Sequence, residues 1–515
     1  MSYLEANLEA LATVQPMLAE ELRLHPTARH IELMPLADEI PTLDAIIVVG
    51  LPSWESLLSI LGSRIPVVIL SHDALPEIRT YLTLLDIRQA ILSGRISFAV
   101  GEDGVLQVLN DIFGTLYRRR ITLFGRTGSD SHGRALKELQ FFDTLCSSNR
   151  ATLDQFAEEW QNNVSDNLQD FLSGPFLEDQ AGRWSGGEAV VVAAGPSLDE
   201  VDIPAAFKGA PVVACDTAVP VLGMRGVAPD LIVTLDSSVS NQAYLQNLPE
   251  EIYQRSILCA TPLVSRRVYQ RFSNVLFYSY GHPTLDRLRA QGLPFQPLAS
   301  GGSVALTSVD ITRLLGARRV YLLGFDFQFY PFRTHARGTG AALRAVRSSS
   351  RLLPVELFVY EYQNELEATP TGEHARAALM DRKFQKWREW LELYVRNNDI
   401  ELFQMSRNTA PIAGVRPGKP EGGGGYSRPN LRRRPILPDV ERDMKFLLKE
   451  LDIALTVSPE DIPRQVSGLP RVNQSLGYVL AWLSDKPASE SREKLRAILL
   501  RYRTGVQAAL GGQGR

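Results

Sequence analysis

The stretch Ala189-Val-Val-Val-Ala-Ala-Gly-Pro-Ser-Leu-Asp-Glu200 decides the fold. Its unbroken apolar run reads as a strand buried on both faces, and Gly195 lets the backbone turn tightly at its end. Ser197 or Asp199 can cap the helix that follows. The same grammar recurs at Val212–Cys215, Leu231–Leu235, Ile257–Cys259, Val275–Tyr278 and Val320–Leu323, several of them separated by helical sequence. Strand–helix alternation predicts an α/β fold with a central doubly wound, Rossmann-like parallel sheet. In such sheets ligands bind outside the carboxyl ends of the strands, so chemistry is expected just after each run.

Working outward, Ala45–Gly50, Pro66–Ser71 and Ile96–Gly101 predict a smaller α/β unit, preceded by a helix with Leu4, Leu8, Leu11, Leu18 and Leu22 at near-helical spacing. Residues 131–173 are helical in pattern. SGPF and AGRWSGGE mark a boundary near 174–187. Residues 372–397 predict an amphipathic helix through Phe384, Trp387, Trp390, Leu391 and Tyr394. Residues 416–438 are dominated by Pro, Gly and Arg and predict a flexible linker. The expected organisation is an N-terminal α/β domain (1–130), a helical connector (131–185), a Rossmann-type catalytic domain (186–415), the linker (416–438) and a C-terminal helical domain (439–515).

Composition bounds the function. Of the 515 residues 44% are hydrophobic and 22% charged, an ordinary globular balance too long for one core. The net charge of -3 gives no reason to expect nucleic acid or an anionic membrane as partner. Cys146, Cys215 and Cys259 form neither a disulfide framework nor a C-x-x-C metal pair. The acidic amphipathic start lacks the pattern of a signal peptide, and no apolar run approaches the roughly 20 residues of a membrane span. A cytoplasmic location is the expectation. H-E-x-x-H, G-x-x-x-x-G-K-[ST] and G-x-S-x-G do not occur, which argues against a zincin, a P-loop kinase and an α/β hydrolase. No G-x-G-x-x-G follows the first strand of the central domain.

The candidate residues stand at strand ends. Backbone amides in the turn Gly195, Pro196 and Ser197 could attract a phosphate. Asp216 with Thr217, and Asp236, end two neighbouring runs, where carboxylates hydrogen-bond a sugar or hold Mg²⁺. Ser300, Gly301, Gly302 and Ser303 open a helix whose dipole favours an anion. Gly324-Phe325-Asp326 ends the Val320 run and leads to Tyr330-Pro-Phe-Arg-Thr-His335-Ala-Arg337-Gly338. There His335 can serve as general base and the arginines can meet phosphate or carboxylate. The bland readings of these residues are helix caps, flexible loops and a solvated histidine.

In this order AAGPSLDE, ACDTAVPVL, PDLIVTLD, SGGSVALTSVDITRLLGARRVYLLGFDF and THARG resemble the motility-associated factor (Maf) family and its MptE-like domain. They also resemble bacterial sialyltransferases, which have a similar Gly-Pro-Ser-Leu turn and Ser-Gly helix start. The resemblance spans about residues 189–340. It implies a transferase that moves a nonulosonic acid (pseudaminic or legionaminic) from a CMP-activated donor to a serine or threonine of flagellin. Gly195, Pro196 and Ser197 would then lie against the nucleotide. Asp216 and Asp236 would stand where the sialyltransferases use asparagine near the donor, and residues 300–303 would hold cytidine or phosphate. His335 would take the acceptor's proton, with Asp326 the other catalytic candidate. No cofactor is required; the one candidate is Mg²⁺, held by Asp216 and Asp236. Those two carboxylates suit a metal better than sialyl transfer. They keep open a second reading, an ATP- and Mg²⁺-dependent 6-hydroxymethylpterin diphosphokinase, beside a third, a non-catalytic flagellar assembly factor.

Overall fold

The computed structural model describes residues 2–29, 31–34, 44–62, 65–71, 75–101, 104–113, 120–125, 129–235, 237, 239–296, 298, 302–330, 333–357, 367–370, 377–380, 382–407, 409–422, 427–484 and 486–511. The chain divides into two compact units, Met1–Gln155 and Phe156–Arg515. The division falls inside one helix, Asp130–Ser173, within the stretch 131–185 expected to be a connector.

The first unit carries four parallel strands: β1 (Ala45–Val49), β2 (Val67–Ser71), β3 (Ile96–Val100) and β4 (Ile121–Gly125). Their spatial order is β3-β2-β1-β4. Residues 45–48 are wholly buried, as an uninterrupted apolar strand covered on both faces must be. The leucines of the opening helix Tyr3–Val14 pack there: Leu8 and Leu11 share a core with Ile46, Val48 and Tyr81. The strand β4 was not read from the sequence. Its residues are only half-buried, and its apolar run is short and flanked by arginines.

The second unit is built on eight parallel strands: β5 (Glu188–Val192), β6 (Val212–Cys215), β7 (Leu231–Thr234), β8 (Ile257–Ala260), β9 (Asn274–Phe277), β10 (Arg319–Leu323), β11 (Glu401–Gln404) and β12 (Arg416–Pro417). Their order is β9-β8-β7-β6-β5-β10-β11-β12. The chain moves outward from β5 in one direction and then returns to β5's other side with β10. The topological switch point therefore lies between β5 and β10, and that is where a doubly wound sheet opens a crevice. The helix Val304–Leu314 packs on β5, β6 and β7. Ser308 of this helix meets Cys215 at the carboxyl end of β6, with Oγ 3.6 Å from Sγ. Leu315, just past the helix, accepts from Trp184 N ahead of β5. The helix thus runs against the strands and begins at their carboxyl edge.

Two expectations change. The helix predicted over 372–397 starts at Arg382, because Ala377–Met380 pairs antiparallel with Glu367–Pro370. The described part of 416–438 is no loose linker. Arg416–Pro417 adds to the sheet, and Glu188 Oε2 accepts from Glu421 N and Gly422 N at 3.2 Å. Trp184 Nε1 donates to Ser427 O at 3.1 Å, and the Gln180 amide pairs both ways with the Asn430 backbone. Proline and glycine suppress regular structure here without freeing the chain, since its polar backbone finds fixed partners.

From Pro438 the chain is helical: Pro438–Thr456, three short helices, then Ala488–Gly511. These helices join the sheet through a buried ionic cluster. Arg287, on the helix Pro283–Ala290, is 2% exposed and pairs with Asp443; its Nε donates to Ser475 Oγ at 2.9 Å. Arg471 bridges Asp443 at 2.8 Å and Glu450 at 2.9 Å. Buried charges of this kind survive only when each is paired and hydrogen-bonded. Among the described residues no helix is long and apolar enough to cross a membrane.

Candidate functional site

Two strand ends close on each other at the switch point. Gly195 N donates to Gly324 O at 3.0 Å, and Ala193 N to Leu323 O at 2.8 Å. The approach leaves no room for side chains. A methyl group added at Gly195 would lie 2.5 Å from Gly324 O and 2.8 Å from the Asp326 carboxyl. One added at Gly324 would lie 2.2 Å from Ala193 O, and Gly324 also has φ +76°. Both glycines are required by the close crossing of two backbones.

Pro196–Glu200 is a short 3₁₀ turn that meets the Asp326 carboxylate. Oδ2 accepts from Ser197 N at 2.8 Å, and Oδ1 accepts from the Ser197 hydroxyl. Ser197 is fully buried and Asp326 is 3% exposed. Burial pushes the Asp326 carboxyl up to about 7; the Ser197 hydrogen bonds, and Arg333, pull the other way while Glu200 adds to the rise. The turn's amides are thus already used. Gly195 N is bound to Gly324 O, Ser197 N to Asp326 and Leu198 N to Gly195 O, and Pro196 has none. The expectation that amides of residues 195–197 face a phosphate does not hold in this geometry, because a protein carboxylate already sits in the anion position.

Asp199, on the same turn, faces the other way. Its Oδ1 accepts from Arg225 Nη2 at 3.0 Å; its Oδ2 accepts from Arg333 Nη1 at 3.3 Å and from Arg337 N at 3.1 Å. Arg225 also donates to Leu198 O at 2.9 Å. Ala336 N donates to Ala194 O at 2.9 Å. The segment 333–337 is therefore seated against the end of β5, which brings His335 to the switch point. The His335 ring is half-buried, with Nδ1 3.0 Å from Thr334 Oγ1. In the tautomer protonated at Nδ1, that nitrogen donates to Thr334 and Nε2 carries the lone pair a base needs.

Asp216 lies at the end of β6, 2% exposed. Its Oδ1 accepts from Thr217 N at 2.7 Å and its Oδ2 from Thr234 Oγ1 at 2.9 Å. Tyr278, buried beyond β9, donates to Thr234 O at 3.0 Å. Three strand ends are knitted together in this way. Gly302 stands at φ +81°, and Ser303 caps the helix Val304–Leu314 by accepting from Ala305 N at 3.3 Å. Asp236, Ser300 and Gly301 lie outside the described residues. The Mg²⁺ candidates were Asp216 and Asp236: Asp236 lies outside the described residues, among which there is no group of three or more His, Cys, Asp or Glu that could hold a metal, and both Asp216 oxygens accept hydrogen bonds.

Several residues of this region escaped the sequence reading. Asp199 had been a possible helix cap; its partner Arg225 carries no local signal at all. Thr234 and Tyr278 sat in plain view at the ends of apolar runs but lacked the charge that drew attention to Asp216. Phe327, next to Asp326, adopts φ +49° while buried, a left-handed conformation rare for a bulky side chain and typical of functional loops. His282, which follows β9, is 1% exposed. It accepts from Thr284 N at 3.3 Å and packs edge-on against Tyr478 at 5.3 Å, so it serves a helix start.

Residues 159–331 match the family model described as 6-hydroxymethylpterin diphosphokinase MptE-like. Among solved structures, the Maf glycosyltransferase from Magnetospirillum magneticum AMB-1 shares the fold with a TM-score of 0.60. The match covers 99% of this chain and 95% of that one at 15% identity. The sialyltransferase CstII from Campylobacter jejuni, in complex with cytidine-5'-monophosphate as a substrate analogue, aligns with 50% of this chain at 14% identity and a TM-score of 0.27. Two curated relatives, both uncharacterized proteins of Treponema pallidum (strain Nichols), are 31% and 28% identical over 139 and 126 residues. The alignments span 35% and 44% of those relatives' own lengths. The chain thus carries an MptE-like segment within the fold of a Maf glycosyltransferase, as the order of its motifs implied.

Proposed function

We propose that the protein is a glycosyltransferase that moves a nonulosonic sugar from a CMP-activated donor to a serine or threonine hydroxyl of an acceptor protein, with flagellin the acceptor the motif resemblance implies. The observation that carries this reading is the seating of the His335 loop on the end of β5 by the Ala336–Ala194 hydrogen bond, beside the switch point. A CMP-sugar loses a phosphate monoester as its anomeric carbon gains positive charge. Transfer needs a base at the acceptor oxygen and donors for the departing phosphate. His335 takes the acceptor's proton. The helix start at Gly302–Ser303 faces the carboxyl edge of the sheet and supplies the positive end of a helix dipole to the phosphate. Thr217 offers a polar contact for the donor at the strand end that the buried Asp216–Thr234 pair fixes, and Asp236, Ser300 and Gly301 complete the set by resemblance.

The match of residues 159–331 to an MptE-like model favours one other reading, ATP-dependent diphosphoryl transfer. Thermal unfolding with CMP, CDP, ATP and GTP, each with and without Mg²⁺, separates the two. A ligand at about 100 times its Kd adds roughly 2.7 kcal/mol. Selective stabilisation by CMP is the expected result, and selective stabilisation by ATP with Mg²⁺ would overturn it. With donor and acceptor in hand, His335→Ala should lower kcat about 10²- to 10⁴-fold while CMP still binds. Full turnover by that variant removes His335 from the chemistry.

A further inference from the structure

We propose that Asp326 and Asp199 are positioning residues: they hold the 196–200 turn from its two sides and through it set the loop that carries His335, and neither exchanges a proton with substrate. The inference deepens the transferase reading and rests on it for the role of His335. It starts from the observation that one five-residue turn is gripped by two carboxylates with opposite outlooks. Asp326 grips from inside the protein. Both its oxygens are used by Ser197, its own carbonyl accepts from Ala410 N at 3.0 Å, and Gln404 Nε2 donates to the neighbouring Phe325 O at 3.3 Å. A carboxylate so enclosed has no open side toward a ligand. Asp199, the more exposed of the two, grips through the arginines. It gathers Arg225, Arg333 and the amide of Arg337, donors from two separate parts of the chain. Arg333 and Arg337 flank His335 by two residues on each side, so Asp199 fixes both ends of the segment that presents the imidazole. The path is continuous: Asp326 to Ser197, the turn to Asp199, Asp199 to the loop.

A positioning role and an acid–base role predict different things. Asp326→Asn keeps the shape and loses the proton chemistry. It should leave both limbs of the pH–rate profile in place, with kcat reduced about tenfold or less. Loss of one limb in a folded variant would make Asp326 a proton donor or acceptor and overturn its assignment. Asp199→Asn should lower kcat about 10- to 100-fold with the Kd for CMP unchanged within about twofold, since it loosens the loop and not the donor contacts. Asp199→Glu should recover part of the loss. Parallel loss of CMP binding, or unchanged kcat, would overturn the assignment.

A second readout needs no substrate. In histidine-ring NMR, with His335→Ala identifying the signal, Asp199→Asn and Arg333→Gln should both shift the His335 resonances and their titration midpoint. Unmoved resonances in both folded variants would overturn the inference. A wild-type chain inert toward CMP-sugars would sink the transferase reading while leaving this test intact.

Discussion

The two units use one topology for two purposes. In each, the first strand lies between a neighbour on one side and the last or a late strand on the other: β1 between β2 and β4, β5 between β6 and β10. In each, that first strand ends in a glycine followed shortly by proline and serine, Gly50-Leu-Pro-Ser53 and Gly195-Pro-Ser197. The difference lies in what the serine does. Ser53 serves its own helix start, with Oγ 3.0 Å from Ser56 Oγ and accepting from Ser56 N at 3.4 Å. Ser197 is bound to a carboxylate 129 residues away across the switch point. A local cap stabilises a helix. A long-range buried carboxyl group locks two strand ends and a loop. The same fold element thus becomes a candidate site only where distant side chains converge on it.

The strongest way to break this comparison is to fill the crossing in the second unit. Gly324→Ala puts a methyl 2.2 Å from Ala193 O at a residue with φ +76°. The left-handed conformation costs about 1–2 kcal/mol and the overlap with unyielding backbone about as much again, for a loss of roughly 3 kcal/mol. Urea unfolding should show it. A loss below about 1 kcal/mol would mean that the two strand ends are not locked.

A smaller effect sharpens the electrostatic half of the comparison. The folded chain holds a proton on Asp326 up to about pH 7, whereas an unfolded chain releases it near the ordinary carboxylate value. Between those values the folded state binds more protons than the unfolded. Asp326 therefore contributes stability that is complete at low pH, falls as pH rises and is gone above its folded value. Glu200 and Tyr330 face this group along with Arg333, the one cation among them. The expected slope between about pH 5 and about pH 7 is roughly 1 kcal/mol per unit, and it should vanish in Asp326→Asn. An identical slope in that variant would place the titration elsewhere.

How far the sequence carried this follows from the range of the forces involved. The strands of both sheets, apart from β4, β11 and β12, were legible as apolar runs because burial on both faces leaves a continuous pattern. The turn at Gly195 was legible because a glycine follows an apolar run, and the loop at His335 was singled out because ligands are expected at the strand ends of such sheets. The pairing of Ser197 with Asp326 was not, since nothing at either position signals the other. Nor was the seating of the 416–438 segment, whose backbone partners Glu188, Gln180 and Trp184 lie more than 230 positions earlier. Local pattern fixes where the chain turns; which turns touch depends on strand order, which no local pattern contains.

The smallest effect is expected in the first unit, and it tests whether its turn is merely a turn. Gly50 has φ +105°, yet a methyl there would meet nothing within 4 Å. Its N–H donates to Leu70 O at 2.9 Å, within the unit's own strand pairing. Gly50→Ala therefore adds strain without overlap, about 1 kcal/mol, near a third of the loss expected at Gly324. CMP affinity should not change. A loss as large as that of Gly324→Ala, or any loss of CMP binding, would mean that the first unit's strand end is also a built site, and the contrast between local cap and long-range lock would fall.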